Sequence, residues 1–272
     1  MLKIENTEVI GWEAAIRGMR NPMNSWEKSD SHYCLGPVCP DDATVNLCKD
    51  ECLYYKTIDC ENKISSPYIV GPNDLNLMTR LRNAGTDHRK FMRMITVYLD
   101  ITAPLYWWKE FDTYKVGTVA NSCSTMHKIA AKEFALEDFS HEHLREDSIE
   151  NLKRTICLLN EYRNEYNGII DCGYKKEFWW QMIQLLPSSY NQRRTVMLNY
   201  EVLANIYKSR KNHKLDEWKV FCKGIESLPY SKLITGPSAE DIVYNINFPS
   251  NDMILGNSTP FDLQPENFKE EN

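Results

Sequence analysis

The chain has 272 residues, of which 42% are hydrophobic and 26% charged, and its formal net charge is −6 at pH 7. These proportions are ordinary for a soluble globular protein, and the acidic balance argues against a general nucleic-acid coat. No apolar run reaches the length needed to span a bilayer, and the opening residues lack the regions of a signal peptide. We therefore expect a cytoplasmic protein with no membrane or nucleic-acid partner, whose nine cysteines are largely reduced.

The first elements are predicted from composition and loose alternation. Residues 2–10 indicate a short strand and residues 12–20 a helix. Arg17 and Arg20 lie in the second half of that helix, followed by several hydrogen-bonding side chains. This helix end could bind an anion or be simply solvated.

Residues 28–66 differ from the chain around them, because they show little helical or strand periodicity. They hold five cysteines, namely Cys34, Cys39, Cys48, Cys52 and Cys60. Clustered thiolates are the ligands that zinc and iron–sulfur clusters prefer, but these spacings lack the paired two-residue gaps of zinc ribbons. We interpret the segment as an insertion into the main fold. Its cysteines are free thiols or metal ligands, and no metal ligand is assigned.

The middle of the chain indicates a helix followed by a strand. The helix is predicted to be capped by Asn73 and Asp74 and closed by Gly85. Residues 91–101 then alternate, which places one set on a single face: Phe91, Arg93, Ile95, Val97 and Leu99. This is the single clear strand that periodicity indicates.

Residues 104–127 combine an aromatic first half with a small, polar second half. We expect a helix after Pro104, and turns around the polar set Asn121, Ser122, Ser124, Thr125 and His127. Short hydroxyl and amide side chains favour turns and caps, and turns on a rigid scaffold often carry binding residues. The stretch is therefore a candidate binding region, with an ordinary polar loop as the alternative.

The second half of the chain is predicted to be largely helical. Helical patterns cover residues 128–135, 147–164, 175–186, 195–211 and 215–225. The residues after 236 are rich in Asn, Pro, Ser and Asp, which indicates an extended or mobile tail. We therefore expect one domain over 1–236, including the insertion, and a tail over 237–272.

No familiar catalytic motif is present. The sequence has no glycine-rich phosphate loop, no His-Glu-x-x-His zinc motif and no Gly-x-Ser-x-Gly elbow. Any catalytic residues must therefore be dispersed along the chain.

The order and spacing of the motifs resemble those of the flavin-dependent thymidylate synthases. Asp87-His88 stands where that family has Gly-His, and Ala103-Pro104 keeps its Ala-Pro. Its Arg-His-Arg signature and the Ser after it fall on Thr113, Tyr114, Lys115 and Thr118. With Ala120 as one extra residue, the family's Asn, Ser and Tyr meet Asn121, Ser124 and His127, whereas Ser122 and Met126 replace its Glu and an Arg.

The second half agrees with the family without a gap. The matching positions are Leu186-Pro187, Asn199, Leu203, Asn205 and Arg210, and His213 and Trp218 loosely match the family's closing block. The resemblance covers roughly residues 74–225. It implies an α+β fold with a central antiparallel sheet flanked by helices and a helical C-terminal half.

The resemblance also implies an activity. Family members are FAD-dependent homotetramers that transfer a methylene unit from methylenetetrahydrofolate to C5 of dUMP in dTMP synthesis, with NADPH as reductant. By resemblance, Arg210 is the catalytic, pyrimidine-activating residue, because arginine stays charged and presents a rigid donor fork. The implied cofactor-binding residues are His88, Thr113, Tyr114, Lys115, Asn199 and Asn205. The implied substrate-binding residues are Glu110, Ser122, Ser124, Thr125, Met126 and Arg210.

Some of these residues also have a purely structural interpretation. Tyr114 and Trp107 could stack on flat rings or belong to the core. Arg210 lies in a basic run, Lys208-Ser-Arg-Lys211, which is typical of a solvated surface.

The chain departs from the family where phosphate is bound. Met126 and Ile183 stand at positions where the family has arginines. Losing two charge-assisted hydrogen bonds, at about 1.5–3 kcal/mol each, would weaken dUMP binding by roughly a hundredfold or more. Four cations could compensate from a new direction: Arg17, Lys109, Arg193 and Arg194.

Three functional hypotheses remain open from the sequence. The first is a divergent flavin-dependent methyl- or hydroxymethyltransferase acting on dUMP or a related nucleotide. The second is a flavin- or nucleotide-binding protein on the same fold that has lost catalysis. The third makes the cysteine segment a metal-bearing interaction module and the rest of the chain its scaffold.

Overall fold

A four-stranded antiparallel sheet forms the centre of the structure. The structure, a computed structural model, describes residues 2–33 and 68–236. The strands lie side by side in the order β1 (Lys3–Ile10), β4 (Thr96–Pro104), β6 (Asn191–Asn199) and β5 (Val119–Ser122). A separate ribbon pairs β2 (His32–Tyr33) with β3 (Tyr68–Ile69). The five clustered cysteines and the predicted tail lie outside the described residues.

Helices make up much of the rest of the described residues. They are α1 (Trp12–Arg20), α2 (Pro72–Asn83), α3 (Leu105–Phe111), α4 (Glu146–Gly168), α5 (Cys172–Leu185), α6 (Tyr200–Arg210), α7 (Asp216–Glu226) and α8 (Lys232–Thr235). The predicted α+β class with a central antiparallel sheet and a mainly helical second half is thereby confirmed. In the part of the chain that the structure describes, no helix has the length and apolar character that crossing a membrane requires.

The sheet buries one face, because buried and more exposed side chains alternate along its strands. On β4, Val97, Leu99 and Ile101 are buried, whereas Tyr98 and Asp100 are half-buried. Successive side chains of a strand point to opposite faces, so the alternation read from the sequence is confirmed here. The buried face belongs to a core that includes residues of α1, α3, α6 and α7. A second, smaller apolar cluster forms between α4 and α5.

An aromatic cluster connects α3 with α7. Trp107, Trp108 and Phe111 come from α3, and Trp218 and Phe221 from α7, with ring centroids as close as 4.8 Å for Trp107 and Trp218. All five side chains are at most 1% exposed. The cluster fixes α3 against α7, and it places Trp107 in the core and not on a ligand.

The prediction of one helix over 195–211 is wrong up to Asn199. Residues Asn191–Asn199 form β6, where Gln192, Val196 and Leu198 are buried on one side and pair against β4. The helix begins at Tyr200 because Asn199 caps it: its side-chain oxygen accepts a hydrogen bond from the Val202 N–H at 3.0 Å.

Two further boundaries were predicted wrongly. Residues 128–135 form turns and bends and no helix, because side chains of α4 satisfy their backbone: the Asn160 amide bonds both the N–H and the C=O of Phe134 at 2.9 Å. Phe91 and Arg93 lie in a 3₁₀ turn, Arg89–Arg93, so the strand begins only at Thr96.

Neither Asn73 nor Asp74 caps α2 as predicted. Gly71 occupies the N-cap position, and Asp74 is fully buried beside Arg20, which is also buried and whose Nε donates to it at 2.6 Å. Burial alone raises the pKa of the Asp74 carboxyl, but hydrogen bonds from Ser31, Ser29 and Arg20 outweigh it, so this pKa lies below its ordinary value. Arg20 is therefore an internal partner and not an anion site.

Candidate functional site

The most interconnected of the predicted site residues meet at the end of α6. The Arg210 guanidinium donates from Nε to the Tyr114 hydroxyl at 2.9 Å and from Nη1 to Oε2 of Glu110 at 2.9 Å. The Arg210 side chain is 19% exposed and that of Glu110 35%. The structure thus brings together three residues that are 96 and 100 positions apart in the chain.

Two residues of the C-terminal segment complete this cluster. The Trp218 indole N–H donates to Glu110 Oε2 at 2.8 Å, and its ring lies 4.8 Å from the Arg210 guanidinium carbon, within cation–π range. His213 Nε2 lies 3.6 Å from the same oxygen. Because His213 Nδ1 accepts a hydrogen bond from the Leu215 N–H, a neutral ring carries its proton on Nε2, facing Glu110.

The loop after α3 forms a shallow cavity beside this cluster. Gly117 has a φ of +78°, a backbone conformation that favours glycine, and it turns the chain towards β5. The Thr118 hydroxyl oxygen is buried and has no hydrogen-bond partner among the described residues. The cavity encloses about 160 Å³ and is lined by Phe111, Asp112, Tyr114, Lys115, Thr118 and Ala120.

Asn199 faces the same loop from the other end of α6. A Cβ at Gly117 would lie 3.1 Å from the Asn199 side-chain nitrogen. The helix between Asn199 and Arg210 has 11 residues. At 1.5 Å per residue the helix therefore separates the two residues by ~16 Å, and both lie on nearly the same face of α6. A ligand that contacts both must be elongated.

His88 and Asn205 lie apart from this loop. Asn205 accepts a hydrogen bond from Arg89 at 3.5 Å, and Arg89 forms an ion pair with Glu201 at 2.8 Å. Counting 100° per residue, Asn205 points to a different side of α6 from Arg210. His88 is exposed, immediately before Arg89. Sequence reasoning missed Arg89 and Glu201, which are 112 positions apart and share no local motif.

The polar stretch after β5 is anchored by its backbone. The Gln192 amide donates to the Cys123 carbonyl and the Trp179 indole to the Met126 carbonyl, both at 2.8 Å. The side chains of Ser122, Ser124 and Met126 are exposed, Thr125 is half-buried, and Thr113 is exposed at the start of the loop. The predicted substrate residues of this stretch therefore lie on an open surface and do not contact Arg210.

All three arginines proposed to compensate for Met126 and Ile183 already have acidic partners. Arg193 donates to Asp100 at 2.7 Å, and Arg194 donates to Asp112 at 2.8 Å while stacking over Trp108 at 4.2 Å. Arg17 lies 3.6 Å from Glu13, and Lys109 is exposed. Ile183 packs against the second apolar cluster, between α4 and α5.

No protein-family model matches the sequence, and no curated protein matches it either. Solved structures do. Flavin-dependent thymidylate synthase ThyX from Helicobacter pylori, complexed with FAD and dUMP, aligns over 86% of this chain and 97% of its own, with a TM-score of 0.53 and 15% identity. The chain has the fold of the flavin-dependent thymidylate synthases.

Two further solved structures are similar. A second structure of ThyX from Helicobacter pylori with FAD and dUMP covers the same shares of both chains, at a TM-score of 0.52 and 14% identity. A UMP/dUMP methylase, PolB from Streptomyces cacaoi bound with 5-Br dUMP, aligns over 86% of this chain and 93% of its own, at a TM-score of 0.47 and 12% identity.

The residues of the loop fit a flavin in part. Lys115 is an exposed cation beside the cavity, and the buried Thr118 hydroxyl offers an unused polar atom. Tyr114 is half-buried and its ring is held by Arg210. Within the described residues, no group of three or more His, Cys, Asp or Glu side chains could hold a metal ion.

Proposed function

We propose that this protein is a flavin-dependent enzyme that transfers a one-carbon unit to C5 of a pyrimidine nucleotide, dUMP or a relative. The donor would be methylenetetrahydrofolate. In the methylating form of the reaction, the methylene carbon and a hydride replace the hydrogen at C5, which leaves as a proton, and tetrahydrofolate is released. Bound FAD, once reduced by NADPH, would supply that hydride.

One observation carries this proposal: a fixed guanidinium beside a polar loop, within the ThyX fold. Arg210 is held by Glu110, Tyr114 and Trp218, so its orientation is set before a ligand arrives. A preorganised cation facing a pyrimidine carbonyl stabilises negative charge on that oxygen, and so favours the electron-rich form of the ring whose C5 attacks the donated carbon.

The remaining assignments follow from position. Lys115 would oppose a pyrophosphate charge as a point cation, and Tyr114 and Thr113 would line the same loop. Asn199 would contact the far end of an elongated cofactor. Asn205 lies on another side of α6 from Arg210, and His88 immediately precedes its partner Arg89. Both would therefore contribute to the flavin site of a neighbouring subunit in a homotetramer. Ser122, Ser124, Thr125 and Met126 would meet the nucleotide from the open surface after β5.

The test is methyl transfer to dUMP in the Arg210→Ala variant. Removing one preorganised donor costs about a hundredfold to a thousandfold in rate, so the variant should lose at least about a hundredfold while it still binds FAD. Lys208→Ala is the matched control, because Lys208 is an exposed cation on the same helix. Full activity in Arg210→Ala would contradict the assignment of Arg210.

A catalytically inactive flavin- or nucleotide-binding protein is the second candidate. It is favoured by Thr113, Tyr114 and Lys115 at the family's Arg-His-Arg signature and by the absence of a cation at Met126. Wild-type protein that binds FAD and dUMP but transfers no carbon would establish this second function.

A further inference from the structure

The Glu110–Arg210 pair keeps two polar atoms available to a ligand. Both donors that bond Glu110 use Oε2, and its second oxygen, Oε1, receives no hydrogen bond within the described residues. Arg210 uses Nε and Nη1, and its Nη2 donates no hydrogen bond within them. An open acceptor and an open donor are therefore carried by two groups that are themselves bonded at 2.9 Å.

The charge of this pair restricts what can bind there. Glu110 neutralises the guanidinium, so a phosphate approaching Arg210 would also meet a carboxylate. An uncharged ligand group meets no such repulsion. The complement of an adjacent acceptor and donor is an adjacent N–H and C=O, the edge of an imide ring.

We infer that Glu110 is a specificity-determining residue that accepts the N–H of an imide while Arg210 donates to the neighbouring carbonyl. This inference rests on the proposed function, which brings two imides to the site: the N3–H edge of a uracil-type pyrimidine and the N3–H edge of the flavin ring. Cytosine presents an acceptor at N3 in place of the N–H, so the pair would reject it.

The Glu110→Gln variant tests the role of Glu110, because the surrounding donors fix the orientation of the new amide group. Arg210 and Trp218 both donate to Oε2, and His213 Nε2 faces the same atom at 3.6 Å. The amide oxygen of glutamine must take that position to satisfy these donors. Its NH₂ group then replaces Oε1, which turns the open acceptor into a donor.

The experiment measures dUMP and dCMP binding to the FAD-loaded protein by calorimetry, and FAD binding by fluorescence. If the imide is that of the pyrimidine, the wild type prefers dUMP and Glu110→Gln lowers the dUMP-to-dCMP affinity ratio at least about tenfold. If the imide is that of the flavin, this ratio is unchanged and FAD affinity falls at least about tenfold. Unchanged affinities for all three ligands would overturn the inference.

Two controls separate a specific role of Glu110 from a general effect of removing a carboxylate or of misfolding. Glu226→Gln changes a carboxylate that bonds only Tyr207 among the described residues, so all three affinities should stay at the wild-type value. Equal thermal midpoints of the two variants would show that Glu110→Gln is folded. If wild-type protein binds neither FAD nor dUMP, the proposed function fails as well; if it binds both, only the role of Glu110 is at issue.

Discussion

Replacing Asp74 by asparagine should destabilise the protein strongly, because it leaves Arg20 charged and unpaired in the interior. The two side chains are 0% and 5% exposed, and Asp74 accepts hydrogen bonds from Arg20, Ser29 and Ser31 at 2.6–2.7 Å. Breaking a buried ion pair by removing one partner costs about 3–5 kcal/mol. Since small domains are stable by only about 5–15 kcal/mol, the Asp74→Asn variant should lose a large part of its free energy of unfolding.

The assay is urea unfolding followed by tryptophan fluorescence. Asp216→Asn is the matched control, because Asp216 is 52% exposed and its ion pair with Lys219 should contribute less than about 1 kcal/mol. The double variant Arg20→Met, Asp74→Asn should recover part of the loss, since no charge is left unpaired. An Asp74→Asn variant within about 1 kcal/mol of the wild type would refute the reasoning.

Three further results are expected. Gly117→Ala should cost about 1–2 kcal/mol in unfolding free energy and weaken FAD binding, because an L-residue is strained at a φ of +78° and its Cβ would meet Asn199. Unchanged FAD affinity would show that this turn is not part of the cofactor site. Cys222 should resist alkylation at pH 8 in the folded protein, because burial raises the pKa of its thiol to about 11; peptide mapping that finds it modified would contradict this. The pKa of Asp74 is lower in the folded than in the unfolded state. Its contribution to stability is therefore present above the unfolded pKa of about 3.9 and is lost as the pH falls further. Asp74→Asn should consequently lose less stability than the wild type between about pH 5 and pH 2.

Periodicity predicted the elements whose burial follows one simple pattern. The alternation of Val97 and Leu99 marked a strand buried on one face, and the apolar stripe of α4 marked a long helix. It failed for β6, because Thr195–Lys211 contains good helix formers and the strand is fixed by pairing with β4. Only the cap at Asn199 marks the true start of the helix. Because several other asparagines lie nearby in the sequence, the capping residue could not be chosen from the sequence alone.

The candidate site could be predicted only in part. The motif spacing pointed to Tyr114 and Arg210, which do meet, and Glu110, one of the implied substrate-binding residues, joins them. It missed the acidic partner of Arg194, because Asp112 lies 82 positions away and only tertiary contact reveals the pair. Long-range ion pairs carry no local sequence signal, so the sequence could not show which arginines are already neutralised by an acidic partner.

Flavin binding by this protein is the proposal on which the other functional assignments depend. The most direct measurement is an absorption spectrum of the purified protein before and after it is mixed with FAD and passed through gel filtration. We expect flavin bands that stay with the protein and that change when dUMP is added. A colourless protein that takes up no FAD would contradict the proposal.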